Sequence, residues 1–330
     1  MSESSVVTKE EGDVKLGYSN DISRPRFAIM NPCRTFTLPP YQTAAGVTDM
    51  IMHTMERYFT HDDDMTLTTE VAESIMRTLM DSVFAVLKNP EDYRHRAQIM
   101  WGGSIAHNGL TGCGVADDWA THQLEHELSG MFDVTHGAGL AAVWPSWARY
   151  VYKENVSRFV RFAVNVLGVP NDFSDPEGTA LKGIEAMERF YHAIGMPINI
   201  HELIGRDITD EEIKEMVRKC SRDYKATQGC FKVLHAEDME AIYTMPHTGG
   251  KFNEKVYQKT HCYCSCCDPC VEHICFFSTD LFDYAGKLCL KLVEVENSRS
   301  DKFCNSFLNI SVCLREVKGN RCSACAVVDK

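Results

Sequence analysis

Asp49 and His53 stand four residues apart in a stretch of helical character, and His122 and His126 repeat that spacing further along the chain. Residues at i and i+4 share one face of an α-helix, so each pair would project from a single side of its helix. His136 follows Thr135 at the head of the small-residue run Gly137-Ala138-Gly139-Leu140-Ala141-Ala142. Around His122, Leu124, Leu128 and Met131 make an apolar stripe, while His122, Glu125, His126 and Ser129 share another face. One carboxylate with several imidazoles is the ligand set of a divalent transition metal such as Fe²⁺ or Zn²⁺. Either pair alone also fits the solvated face of an acidic helix, since short motifs carry little weight by themselves.

The elements that must position these residues read as helices from Leu38 to Met245. Pro39-Pro40 opens the first at its opening turn, where a missing N–H costs nothing. Thr68-Thr69-Glu70 starts a second, with Val71, Ile75, Leu79, Val83 and Val86 at helical spacing, and Asn89-Pro90-Glu91-Asp92 stops it and caps the next. Asp117-Asp118, Thr135, Ser174-Asp175-Pro176 and Thr209-Asp210-Glu211-Glu212 are further starts, the last with capping-box spacing. Gly195 before Pro197 ends the helix begun near Ser174. About eight helices and no strand are expected there. Ahead of them, Ser5–Thr8 and Phe27–Met30 read as short strands, too few for a stable sheet. Beyond Met245 the helical pattern fails: Pro246 and Gly249-Gly250 precede His261-Cys-Tyr-Cys-Ser-Cys-Cys-Asp-Pro-Cys270, and the apolar run Leu288–Leu292 shows no clear period. Three segments result: 1–34, 35–245 and a Cys-rich tail, 246–330, expected to be poorly ordered.

Composition agrees with such a division. The net charge is −12, but 36 Asp/Glu and 23 Lys/Arg fall within residues 1–244, against 10 and 11 in 245–330. Eleven of the 15 cysteines lie after residue 260. The acidic balance argues against nucleic acid or an anionic membrane as partner. No apolar run is long enough to span a bilayer and no signal pattern opens the chain, so a cytoplasmic setting with Cys33, Cys113, Cys220 and Cys230 as free thiols is expected. Cys264, Cys267, Cys322 and Cys325 have Cys-x-x-Cys spacing, yet Cys266-Cys267 adjacency works against one tetrahedral site, and no zinc module is expected from them.

Three stretches taken together are far more specific. Thr37-Leu-Pro-Pro-Tyr-Gln-Thr-Ala-Ala-Gly-Val-Thr-Asp49-Met-Ile-Met-His53-Thr-Met-Glu-Arg-Tyr58, Asp118-Trp-Ala-Thr-His122-Gln-Leu-Glu-His126-Glu-Leu-Ser129 and Thr135-His136-Gly137 resemble the iron-containing (group III) alcohol dehydrogenases, in particular the NADPH-dependent butanol dehydrogenase branch. The likeness runs from the first residues to about Met245. It implies a mainly α fold: the all-helical C-terminal domain of the dehydroquinate synthase-like, iron-dependent alcohol dehydrogenase class, with a remnant strand hairpin of an α/β N-terminal domain. It also implies a metal, Fe²⁺ or Zn²⁺, held by Asp49, His53, His122 and His136. His126 would face the nicotinamide of NADP(H) or NAD(H) and the substrate, a small alcohol or aldehyde. A homodimer is compatible with this likeness.

The chain departs from that family at both ends. Family members begin with a nucleotide-binding α/β domain carrying a Gly-Gly-Ser turn for the pyrophosphate, and Met1 aligns near that domain's end, as though the chain started at an internal methionine. Weak NADP(H) binding is therefore expected, with a catalytically incomplete metal-binding fragment as the alternative to an active dehydrogenase. Glu56 and Tyr58 read as packing or supporting groups; Gly102-Gly103-Ser104 as a tight helix contact or kink sooner than a phosphate turn; His107 as a core or capping residue sooner than a cleft-lining one; and Trp119, Trp144 and Trp147 as core.

Overall fold

The computed structural model describes residues 4–9 and 14–245 together with two five-residue strands, Leu288–Leu292 and Ile310–Leu314. Strands β1 (Ser4–Lys9) and β2 (Val14–Ser19) form an antiparallel hairpin in which Ser4 faces Ser19 and Lys9 faces Val14. Phe27–Met30, read above as a strand, is not one. It has no neighbouring strand to hydrogen-bond with among the described residues, and Phe27 and Ile29 are 77% and 88% exposed. A lone extended segment leaves its backbone ladder unmade and gains nothing over solvated coil.

Ten α-helices then follow among the described residues: α1 (Pro40–Tyr58), α2 (Thr66–Lys88), α3 (Tyr93–Ala106), α4 (Ala120–Phe132), α5 (His136–Val151), α6 (Val156–Asn165), α7 (Pro176–Ala193), α8 (Ile200–Ile204), α9 (Asp210–Cys220) and α10 (Ala236–Thr244). The expected punctuation recurs in atomic form. Asp92 accepts from His95 N to cap α3, Asp175 accepts from Gly178 N to cap α7, and Thr209 and Glu212 close a full capping box on α9. Asn155 and Asn199 cap the shorter α6 and α8 in the same way. The helix expected at Asp117-Asp118 begins at Ala120, with Trp119 rather than an aspartate at the N-cap position. Asp118 accepts from Ala120 N through Oδ2 at 3.2 Å and also serves as a buried staple, Oδ1 accepting from both Cys230 N and Phe231 N at 2.7 Å.

Helix α5 is buried along nearly its whole length, as a helix apolar on all sides must be. It packs against α1, α4 and α7. The core gathers Phe59, Trp144, Trp147, Phe159, Phe162 and Tyr191, with Phe59 and Phe159 stacked at 4.5 Å. Trp144 and Trp147 thus belong to the core as expected. Gly102 and Gly103 lie inside α3 where a Cβ would run into Leu79 and Met50, the tight helix contact anticipated for them. Small residues at the start of α5 serve the same end more strictly: a Cβ at Gly137 would lie 2.0 Å from the carbonyl oxygen of Ala45. The backbones of α1 and α5 therefore approach as only glycine permits, bringing His136 alongside the helix that carries Asp49.

The chain divides into two units, Met1–Thr248 and Gly249–Lys330. In the second, β3 (Leu288–Leu292) pairs antiparallel with β4 (Ile310–Leu314), so the aperiodic run Leu288–Leu292 does form a strand. The tail cysteines Cys264, Cys267, Cys322 and Cys325 lie outside the described residues. No helix among the described residues is long and apolar enough to cross a membrane.

Candidate metal centre

Helix α1 supplies Asp49 and His53 from one face, α4 supplies His122 and His126, and α5 begins with His136. Their meeting point is a single atom. Asp49 Oδ1 lies 3.5 Å from His53 Nε2, 3.5 Å from His122 Nε2 and 3.6 Å from His136 Nε2. The candidate ligand atoms of Asp49, His122 and His136 all fall within 4.8 Å of one another. The rings of His53 and His122 lie 4.5 Å apart and those of His122 and His136 5.4 Å. His126, one turn beyond His122, sits beside His136 with ring centroids 5.5 Å apart, and its ligand atom groups with those of Glu125 and His136 rather than with Asp49.

Two polar atoms at this point are sealed from solvent without a hydrogen bond: Asp49 Oδ1 and His122 Nε2. Buried acceptors left unmade cost free energy, and a divalent cation between them removes that cost. A carboxylate with three imidazole Nε2 atoms suits Fe²⁺ or Zn²⁺. The residues present therefore fit a metal.

Two buried carboxylates stand behind the imidazoles. Glu56, 2% exposed, accepts both His122 N–H at 3.0 Å and His122 Nδ1–H at 2.7 Å. Glu125, fully buried, accepts from His136 Nδ1. In each ring the nitrogen facing the carboxylate carries a proton, which directs Nε2, the candidate ligand atom, toward Asp49. His53 has no such support, its Nδ1 being buried without a hydrogen-bond partner. Its ring is instead stacked on His107 at 3.9 Å and edge-on to Trp119 at 5.5 Å.

Electrostatics follow from these contacts. Burial would raise the Asp49 carboxyl, but the facing imidazoles of His122, His53 and His136 hold it below the usual carboxylate range. Burial pushes His53 down to about 2 against the pull of Asp49, leaving a neutral ring. His126 falls to about 3, through burial first and then the nearby Lys15 charge. His122 goes the other way: burial lowers it, and Asp49 and Glu56 together outweigh that and carry it up to about 9.

His107 caps the C-terminal end of α3, as the capping reading expected, and its ring also lines the site by stacking on His53. Two further features of the site were not legible beforehand. Trp119, read as core, is half-buried at the head of α4 with left-handed backbone, φ 61°, and its ring lies 5.2 Å from that of His122 and under the Arg57 guanidinium. Lys15 of β2 reaches in from the hairpin: its Nζ donates to Ser129 Oγ at 2.8 Å and lies 3.7 Å from Glu125 Oε2. A lysine in a six-residue strand carries no sequence signal for this; only the fold brings it 114 positions along the chain to Ser129.

A helical domain that turns one carboxylate and three imidazoles to a common point, with hydrogen-bonded carboxylates behind two of them, defines a class of candidate metal proteins. The chain belongs to the Fe-containing alcohol dehydrogenase family: the C-terminal domain signature of that family matches residues 43–246. NADH-dependent butanol dehydrogenase A of Clostridium acetobutylicum is 34% identical over 245 residues, which cover 74% of this chain and 62% of that protein. The NADPH-dependent aldehyde reductase YqhD of Escherichia coli is 36% identical over 194 residues, covering 59% of this chain and 49% of that protein. Among solved structures, NADH-dependent butanol dehydrogenase A from Thermotoga maritima is 35% identical with a TM-score of 0.68, covering 74% of this chain and 61% of that one. The chain thus spans less than two thirds of the length of these relatives.

Proposed function

We propose that this chain carries the metal-binding half of an NAD(P)-linked alcohol dehydrogenase or aldehyde reductase, with Asp49, His53, His122 and His136 as the metal ligands. The observation that carries the reading is the convergence of three imidazole Nε2 atoms on Asp49 Oδ1 at 3.5–3.6 Å. Names of relatives, NADH- and NADPH-dependent alike, support a nicotinamide cofactor and a small alcohol or aldehyde substrate. When bound, Fe²⁺ or Zn²⁺ supplies Lewis-acid polarisation of the substrate oxygen, and the nicotinamide supplies the hydride chemistry.

The chain's own residues prepare that chemistry. Glu56 and Glu125 hold His122 and His136 with Nε2 toward Asp49. His126 lies beside the ligand cluster and neutral, so it can face a nicotinamide or an alcohol without adding positive charge. Trp119 and His107 shield the flank of His53 from water.

The test is NAD(P)H oxidation by butanal with the full 330-residue chain loaded with Fe²⁺ or Zn²⁺. The reading expects metal-dependent turnover that Asp49→Ala abolishes; turnover unaffected by that substitution contradicts it. A second reading, metal binding without turnover, draws on the exposure of Phe27 and Ile29, which leaves the N-terminal segment without the packing a working cleft needs. One bound metal with no NAD(P)H oxidation favours that second reading.

A further inference from the structure

Glu125 is a carboxylate with no access to water, and burying such a group is unfavourable unless its charge is matched. It lies on α4 three residues after His122, so the helix that presents one imidazole also presents this group toward the next helix. On α5 the space it occupies is left by a glycine: a Cβ at Gly139 would lie 2.5 Å from Glu125 Oε1 and 2.8 Å from its Cγ. The crossing of α4 and α5 is thus built around a charged side chain where a leucine would have packed without electrostatic cost. Its partners say what is gained. Oε2 accepts from His136 Nδ1 and faces Lys15 Nζ at 3.7 Å, and Lys15 itself is anchored by Ser129 Oγ.

We infer that Glu125 is the positioning residue of His136, and that Lys15 of the hairpin balances its charge, so that divalent-metal affinity depends on β2 as well as on the helical body. This rests on the metal-centre reading proposed above. The carboxylate locks the imidazole with its proton on Nδ1 and its lone pair on Nε2, 3.6 Å from Asp49 Oδ1. Without it the ring can flip or exchange tautomers, and the ligand atom is presented only part of the time. Without Lys15, whose Nζ lies 3.7 Å from Glu125 Oε2 and 3.5 Å from His136 Nδ1, the buried carboxylate loses its facing cation and the contact that holds it against the ring.

The experiment measures Zn²⁺ affinity of the full chain by chelator competition, the visible d–d absorption of the Co²⁺ form, and the melting of the metal-free chain. Glu125→Gln, nearly isosteric, should weaken Zn²⁺ by about 10- to 100-fold and shift the Co²⁺ bands, with metal-free melting little changed. Placed in a His136→Ala background, the same substitution should have no further effect on affinity. Lys15→Met should weaken Zn²⁺ in the native chain and not in Glu125→Gln. Gly139→Ala, which pushes the carboxylate away from within α5, is the second route to the same loss should Glu125→Gln fold poorly. Native affinity and an unshifted Co²⁺ spectrum in both Glu125→Gln and Gly139→Ala overturn the inference, as does a stoichiometry of two metals per chain, which would make Glu125 a ligand with His126 and His136. Asp49→Ala separates the two levels: if it leaves Zn²⁺ binding intact the metal-centre reading itself is wrong, and if it abolishes binding while the Glu125 variants change nothing, only the positioning role fails.

Discussion

The helical body and the N-terminal segment of this chain bury their apolar side chains to opposite degrees. In α1–α10 the large residues vanish from solvent: Trp144, Phe159, Phe162 and Leu124 are all fully buried. In the first 38 residues Val7, Ile22, Phe27 and Ile29 are 67–93% exposed. The hairpin meets the helical body through a polar contact, that of Lys15 with Ser129 and Glu125, and the buried Pro32 turn packs on α3. Stability is therefore expected to reside in the body, with the inferred role of the hairpin confined to its Lys15 contact.

The largest expected effect sharpens that contrast. Trp144→Ala should destabilise the chain by about 3–5 kcal/mol in denaturant titration, the range for emptying a fully buried large aromatic. Ile29→Ala should stay within about 0.5 kcal/mol of native; a comparable loss at Ile29 would break the contrast. Gly137→Ala comes next. Its new methyl meets the Ala45 carbonyl rather than a flexible side chain, so α1 and α5 must part, at about 1–3 kcal/mol or more. The same variant should bind metal more weakly, because the displacement falls next to His136.

Asp118 gives a pH test inside the body. Burial first, and then the Glu56 charge, raise its carboxyl from an ordinary 3.8 to about 7, against three backbone N–H groups that lower it. A raised folded value means that the contribution is complete below about pH 3.8 and is lost as pH rises toward 7. The stability of the native chain should therefore decline through that window from this group, and Asp118→Asn should flatten the slope. Asn also turns an amide toward Ala120 N–H, so the variant should be less stable overall by about 1–3 kcal/mol. An unchanged slope would contradict the assignment.

Much of the body was readable residue by residue, because helix signals are local. Asp92, Asp175 and Thr209 cap where their side chains can reach the next turn, and Gly195 stops α7 from within one turn. Convergence of Asp49, His53, His122 and His136 was legible only through resemblance, since nothing in an i, i+4 spacing says which two helices will meet. Features that depend on distant segments were invisible. Asp118 reaches Ala120 N at the start of α4 as a local cap would, but its other partners are Cys230 and Phe231, over a hundred residues away. Phe27–Met30 has strand composition and no strand, because a strand is defined by a neighbour that its own sequence does not contain. Lys15 and Glu125 belong to the same category as Asp118.

The central claim, that these four side chains hold one divalent ion, is tested most directly by anomalous scattering from crystals of the full chain grown with Zn²⁺. The account predicts a single peak about 2.0–2.2 Å from Asp49 Oδ1 and from the Nε2 atoms of His53, His122 and His136. A peak bound by Glu125 and His126 instead, or none within the helical body, would contradict it.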